Sequence, residues 1–148
     1  MITICYGSET GNAESLADMA KTHFEQKNQP VELFALEDIS LSDMAQKSHV
    51  LIITSTWGDG EPPTNAISFS EELESESELN LSSLQYSILA LGDSAYPDFC
   101  QFGRDVDDKL AELGAKAIYP RKECDVDFDA EYEEWIEGVT QSMQTALV

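Results

Sequence analysis

Short apolar runs alternate with longer amphipathic stretches along this chain, the pattern of strands interleaved with helices. Residues 2–6 (Ile-Thr-Ile-Cys-Tyr) read as a buried strand, and a Gly-Ser-Glu-Thr-Gly-Asn loop follows. A helix is predicted from about Asn12, with Leu16, Met19, Ala20 and Phe24 on one face. Residues 31–36 form the second strand, and a short polar connection carrying Leu41 and Met44 leads to the third, residues 49–54. That third run is apolar almost throughout and rich in branched residues, so it is expected to be central and covered on both faces. Residues 55–65 are a Gly/Pro-rich loop, 66–79 a helix and 86–91 the fourth strand. A loop over 92–99 precedes a helix over 102–113, which Gly114 ends. Residues 117–119 are a short fifth strand. A last helix runs from about Asp129, striped by Tyr132, Trp135, Ile136 and Val139. Five strands separated by helices predict a parallel α/β sheet with right-handed crossovers in a single domain spanning 1–148.

The chain has 148 residues, and its 29 Asp and Glu against 8 Lys and Arg give a formal net charge of -21. Clustered bases to bind a phosphate backbone are lacking, which excludes nucleic acid, and an anionic membrane surface would repel the protein. No apolar run approaches the ~20 residues of a membrane-spanning helix, and the N-terminus lacks the pattern of a signal peptide. Three scattered cysteines, Cys5, Cys100 and Cys124, argue for a reducing cytoplasm rather than a disulfide framework. His23 and His49 lack metal-ligand spacing, so no metal is expected.

Ligands of such sheets bind at the carboxyl ends of the strands, where three unusual loops emerge together. In the first, Ser8, Glu9, Thr10, Gly11, Asn12 and Ala13 place small hydroxyl, amide and glycine residues before a helix N-terminus. Free N–H groups and the positive end of the helix dipole there suit a phosphate monoester without any Lys or Arg. A plain helix cap explains the same residues. The second loop, Ser55, Thr56, Trp57, Gly58, Asp59 and Gly60 onward, sets a large aromatic beside two glycines. Trp57 is either a stacking surface or a half-buried core residue. The third, Leu91, Gly92 and Asp93 through Tyr96 and Phe99 to Cys100, adds a further aromatic at a strand exit. Taken in this order, the three describe a slot for a planar, phosphorylated ring system. A receiver domain would need an acid where Thr54-Ser55-Thr56 stands, and a tyrosine phosphatase would need an Arg in place of Gly11.

These loops, with the stretch 107–114 and the Cys-Asp-Val-Asp-Phe motif at 124–128, resemble the FMN-binding flavodoxin-like domain of diflavin reductases, in particular that of the sulfite reductase flavoprotein. They resemble the stand-alone short-chain flavodoxins of the MioC type as well. The likeness implies the flavodoxin-like fold, a five-stranded parallel sheet of order 2-1-3-4-5 with helices on both faces. It implies that Ser8 to Ala13 hold the FMN phosphate and that Ser55 to Gly58 border one side of the ring. Leu91 to Cys100 would border the other side, with Tyr96 stacking and Asp125 close to the flavin. The chain stops where diflavin reductases continue into further domains, carries Trp57 where relatives often have Tyr, Gln or His, and lacks an insertion in its last strand. The reading is therefore a short-chain flavodoxin acting in trans.

That resemblance implies a one-electron carrier rather than an enzyme. It would shuttle between semiquinone and hydroquinone, with Gly58 free to reorient its peptide toward N5. Asp59, Glu61, Asp93, Asp98 and Asp125 would drive that couple low by like-charge repulsion. Between Lys47 and Arg104 there is no Lys or Arg but nine acids, so a basic-surfaced NAD(P)H-dependent reductase and basic acceptor enzymes are the expected partners. The run from Glu71 to Glu78 also serves as an ordinary solvated helix face. The high charge favours a monomer. The rival reading is an FMN-dependent NAD(P)H:acceptor oxidoreductase of the quinone-reducing type, for which these short connections leave little room.

Overall fold

The computed structural model describes residues 1–147 apart from 9–10, 57–60, 94 and 96–98, with side chains described through Met143. Strands β1 (Ile2–Gly7), β2 (Val31–Ala35), β3 (His49–Ser55), β4 (Gln85–Leu91) and β5 (Lys116–Ala117) lie in the order β2-β1-β3-β4-β5, all parallel. The expected order is thus the observed one. Helices α1 (Asn12–Glu25), α3 (Ile67–Ser75), α4 (Gln101–Glu112) and α5 (Asp129–Leu147) cover the two faces, and a one-turn helix α2 (Leu41–Met44) stands in the connection after β2.

The apolar run of β3 is explained by this sandwich. Successive side chains point to opposite faces, so a strand covered twice must be apolar at every position. Val50 and Ile52 pack with Phe69, Leu73, Phe102 and Val106 of α3 and α4. Leu51 and Ile53 pack with Leu16, Phe24, Trp135 and Val139 of α1 and α5. All four β3 residues are fully buried.

The last strand departs from expectation. The predicted strand over 117–119 is instead β5, a break over 118–121, and then β6 (Lys122–Cys124), which also pairs with β4 in parallel. Pro120 has no N–H to give a ladder. The Tyr119 carbonyl leaves the sheet pattern and accepts the Ser87 hydroxyl at 3.0 Å. Gly138 on α5 makes room for the displaced ring, since a Cβ there would lie 2.3 Å from Tyr119 Cε1. The break spans four residues, so it holds no long insertion. Helix α3 also ends earlier than its predicted limit of 79. Glu76 adopts an extended backbone, and its side chain accepts the N–H groups of Glu78 and Leu79. Glu71, Glu72 and Glu74 already burden the negative end of the helix dipole, so stopping there avoids a further unfavourable turn.

Candidate functional site at the carboxyl edge of the sheet

Register brings the strand ends into one row. Gly7 lies opposite Thr54, Ser55 opposite Leu91, and Leu91 opposite Cys124. The three loops singled out in the sequence, and residue 125 after β6, therefore leave from the same edge.

Strand β1 reaches that edge under tight restraint. The hydroxyls of Thr54 and Ser55 both donate to the Gly7 carbonyl, at 3.2 and 3.5 Å. A Cβ on Gly7 would sit 2.7 Å from Thr54 Oγ1, so only glycine lets the two strands close there. The Ser8 N–H donates to Asn65 Oδ1 at 2.8 Å, which ties the first loop to the second. Ser8 Oγ in turn accepts the Gly11 N–H at 2.8 Å.

Gly11 has φ 90°, a left-handed conformation that glycine adopts without strain. It is the N-cap of α1 and, as glycine, brings no side chain to the first-turn N–H groups. A Cβ on it would meet nothing within 4 Å among the described residues. A 14-residue helix thus turns its positive end toward the carboxyl edge, in a segment without Lys or Arg. That observation fits a phosphate group. Asn12 is exposed at this mouth, whereas the Ala13 side chain is fully buried against the core, so Ala13 offers only its backbone.

The second and third loops are stitched to one another. The Thr56 N–H donates to the Leu91 carbonyl at 3.0 Å, and Thr56 Oγ1 accepts the Phe102 N–H at 3.0 Å. Helix α4 begins at Cys100 without a side-chain cap of its own, so Thr56 supplies one from across the edge. The Gly92 N–H donates to the Cys124 carbonyl at 2.9 Å, and Asp93 Oδ1 accepts the Ala95 N–H at 2.9 Å. Asp125 Oδ1 accepts the N–H of Val126, an apolar residue left 67% exposed at this edge.

Two residues of the third loop serve the scaffold with their side chains. Leu91 is 5% exposed and packs in the core under α5. Cys100 is fully buried with φ 55°, and its thiol faces the carbonyls of Ala90 and Cys124. Burial, and then the charge of Glu123, push the Cys100 thiol up to about 12, so it stays protonated and is no nucleophile. Cys5 and Cys124 are likewise pushed up to about 12, chiefly by burial.

The edge therefore assembles Ser8, Gly11, Asn12, Ala13, Ser55, Thr56, Leu91, Gly92, Asp93, Phe99, Cys100 and Asp125. Glu9, Thr10, Trp57, Gly58, Asp59, Gly60 and Tyr96 lie outside the described residues. Sequence reasoning missed Asn65 as the residue that binds the first loop. Its position in a Gly/Pro-rich loop gives no hint of a partner 57 residues away. Among the described residues no group of three or more His, Cys, Asp and Glu is placed to hold a metal ion, and no helix is long and apolar enough to cross a membrane.

Comparison with known proteins agrees with this geometry. The flavodoxin family model matches residues 4–137. The sulfite reductase [NADPH] flavoprotein alpha-component of Bacillus subtilis (strain 168) is 43% identical over 145 residues, 98% of this chain and 24% of that protein. Its counterpart from Vibrio parahaemolyticus is 45% identical over 146 residues, 99% of this chain and 23% of that protein. The chain thus spans about a quarter of the length of these curated relatives. Among solved structures, a flavodoxin from Streptococcus pneumoniae TIGR4 superposes with a TM-score of 0.83 at 25% identity, covering 97% of this chain and 98% of that one. Oxidised flavodoxin 2 from Bacillus cereus gives 0.79 at 26%, covering 95% and 97%. With a family match over residues 4–137 and relatives more than 40% identical over nearly all of it, the chain belongs to the flavodoxin family of FMN-binding electron-transfer proteins.

Proposed function

We propose that this chain holds FMN at the carboxyl edge of its sheet and carries electrons singly between a reductase and acceptor enzymes. The observation that carries the reading is the N-terminus of α1, which starts at a left-handed Gly11 with no described residue within 4 Å of where its Cβ would lie. Ser8, Glu9, Thr10, Gly11, Asn12 and Ala13 would bind the phosphate. The stretches 55–60 and 91–100, with Asp125, would flank the ring, and Trp57 and Tyr96 would supply its aromatic borders. Bound FMN supplies one-electron redox chemistry. The chain's own residues hold, orient and shield the ring. Thr56 and Gly92 keep the two flanking loops at a fixed spacing through their bonds to Phe102 and Cys124.

Acids around the edge resist added negative charge there, which favours a strongly reducing carrier. Neutral phosphate recognition fits a molecule of net charge -21, because it needs no base at the site. The same field would steer a basic-surfaced partner toward the edge. The relatives named as NADPH sulfite reductase flavoproteins make an NADPH-linked reductase the natural electron source, whether as a separate partner or a neighbouring domain. The unit 1–148 is read as one flavin-binding domain of a cytoplasmic, monomeric carrier.

Titrating the purified apoprotein with FMN, and following quenching of flavin fluorescence, tests the site directly. Saturable one-to-one binding is expected. Stopped-flow reduction by a basic-surfaced NADPH-dependent reductase should then slow as salt rises. Steady-state NAD(P)H oxidation by the holoprotein alone would instead favour the oxidoreductase reading.

A further inference from the structure

Both arginines of the chain, Arg104 and Arg121, are engaged at one place. Arg104, in the first turn of α4, grips Glu123 of β6 with two prongs: Nε to Oε2 at 2.7 Å and Nη2 to Oε1 at 2.8 Å. Arg121, in the break before β6, donates to Glu123 Oε2 at 3.1 Å and to Asp107 Oδ2 at 2.5 Å. Asp107 lies one turn along α4 from Arg104 and also accepts the Tyr86 hydroxyl from β4. Three contacts thus link four alternating charges, and α4 itself, which carries both Arg104 and Asp107, forms the fourth side of a square with the segment 121–123. Its planar forks fix direction as well as distance, unlike the point charge of a lysine.

The square stands one residue behind the candidate site. Glu123 precedes Cys124, whose carbonyl accepts the Gly92 N–H and the Cys100 thiol. Arg104 follows Phe102, whose N–H is held by Thr56, and its own N–H donates to the Cys100 carbonyl. At their meeting point the backbones are close: a Cβ on Gly92 would lie 2.9 Å from the Cys100 nitrogen. Any slip of α4 along β6 would therefore change the spacing of 56, 92, 100 and 125 together. The break over 118–121 separates β6 from β5, so the ladder that holds β6 to β4 is only three residues long.

We propose that the Arg104–Glu123–Arg121–Asp107 square is a positioning device that sets the spacing of the loops flanking the flavin. The proposal rests on the FMN reading above. Glu123 is held below the usual carboxylate range, first by its hydrogen bond to Arg104, so the square stays intact at neutral pH.

The test compares Arg104→Gln with Lys122→Gln in the full chain. Both remove one positive charge, but Lys122 pairs outward with the exposed Glu134 of α5. Three quantities are read: FMN affinity, the FMN midpoint potential, and hydrogen exchange at the Gly92 and Phe102 amides of the apoprotein. Arg104→Gln should weaken FMN binding by about tenfold, the scale of a lost charge-assisted contact. It should also shift the potential and speed exchange at both amides, while Lys122→Gln stays within about twofold of wild type. Arg104→Lys, which keeps the charge and loses the fork, should recover only part of the affinity. Equal affinities and unchanged exchange in Arg104→Gln would overturn the proposal, as would equal effects of the two Gln variants. Should Arg104→Gln fail to fold, Arg104→Lys is judged by the same readouts. Absence of FMN binding by wild type would remove the functional reading, while amide exchange would still decide whether the square holds Gly92 and Phe102.

Discussion

Replacing Gly103 by alanine sets two physical effects against each other. Gly103 sits within α4, where alanine is the better helix former by about 1 kcal/mol. On helix propensity alone the variant would be stabilised. The packing opposes this. A Cβ at 103 would lie 2.5 Å from Ala90 Cβ and 3.6 Å from Ala90 Cα on β4. Carbon atoms pack at about 3.5–4.0 Å, so the helix must retreat by roughly 1 Å. Neither partner can yield by rotating, because both atoms are Cβ atoms fixed to backbone. Overpacking of this kind costs about 1–3 kcal/mol, and the rigid contact puts the value in the upper half. The net expectation is a loss of about 1–2 kcal/mol, a fall in melting temperature of roughly 3–8 °C for a chain of this size.

Urea unfolding of wild type, Gly103→Ala, Ala90→Gly and the double variant reads the effect. The double variant restores the space, so the cycle should show favourable coupling of at least about 1 kcal/mol. The retreat also pulls Phe102 from Thr56, so FMN affinity should fall with stability. A Gly103→Ala protein as stable as wild type to within about 0.5 kcal/mol would refute the reasoning.

Three further outcomes are expected. Gly11→Ala meets no neighbour but must hold φ 90°, so it should lose about 1–2 kcal/mol and bind FMN more weakly; paired urea and FMN titrations check both. Ser87→Ala leaves the Trp135 N–H, which Ser87 Oγ accepts at 2.9 Å in the core, and the Tyr119 carbonyl without partners; chemical unfolding should show a loss of about 1–3 kcal/mol. Glu32 is held below its ordinary value of 4.5 by its hydrogen bonds to Lys47 and then to buried Thr3. Its contribution is complete above that ordinary value and is lost as pH falls through the lowered one. The stability gap between wild type and Glu32→Gln should therefore be widest near neutrality and close in acid, measured as urea midpoints across that range.

Much of this protein was legible in one dimension because its signals are local. A strand buried on both faces must be apolar at every position, and Val50 to Ile53 satisfy that without reference to any neighbour. The α1 helix begins where a small-residue loop ends, and Gly11 marks the left-handed turn. Loops leaving the carboxyl ends of parallel strands converge by topology, so the edge that the three loops share followed once the strand order did.

What the sequence could not decide are contacts between residues distant along the chain. Thr56 reads as a flavin-bordering hydroxyl, yet it caps α4 from 46 residues away. Ala13, Leu91 and Cys100 fall in site loops but turn their side chains into the core. The break over 118–121 depends on a hydroxyl from Ser87 and on the space left by Gly138, neither visible in the residues that break. Two arginines in a strongly acidic chain look like scattered charge until α4 lies against β6. Composition and periodicity determine what each segment must bury, because that depends on its own side chains. Which buried or charged group meets which is fixed only when the sheet closes, because those partners share no local signal.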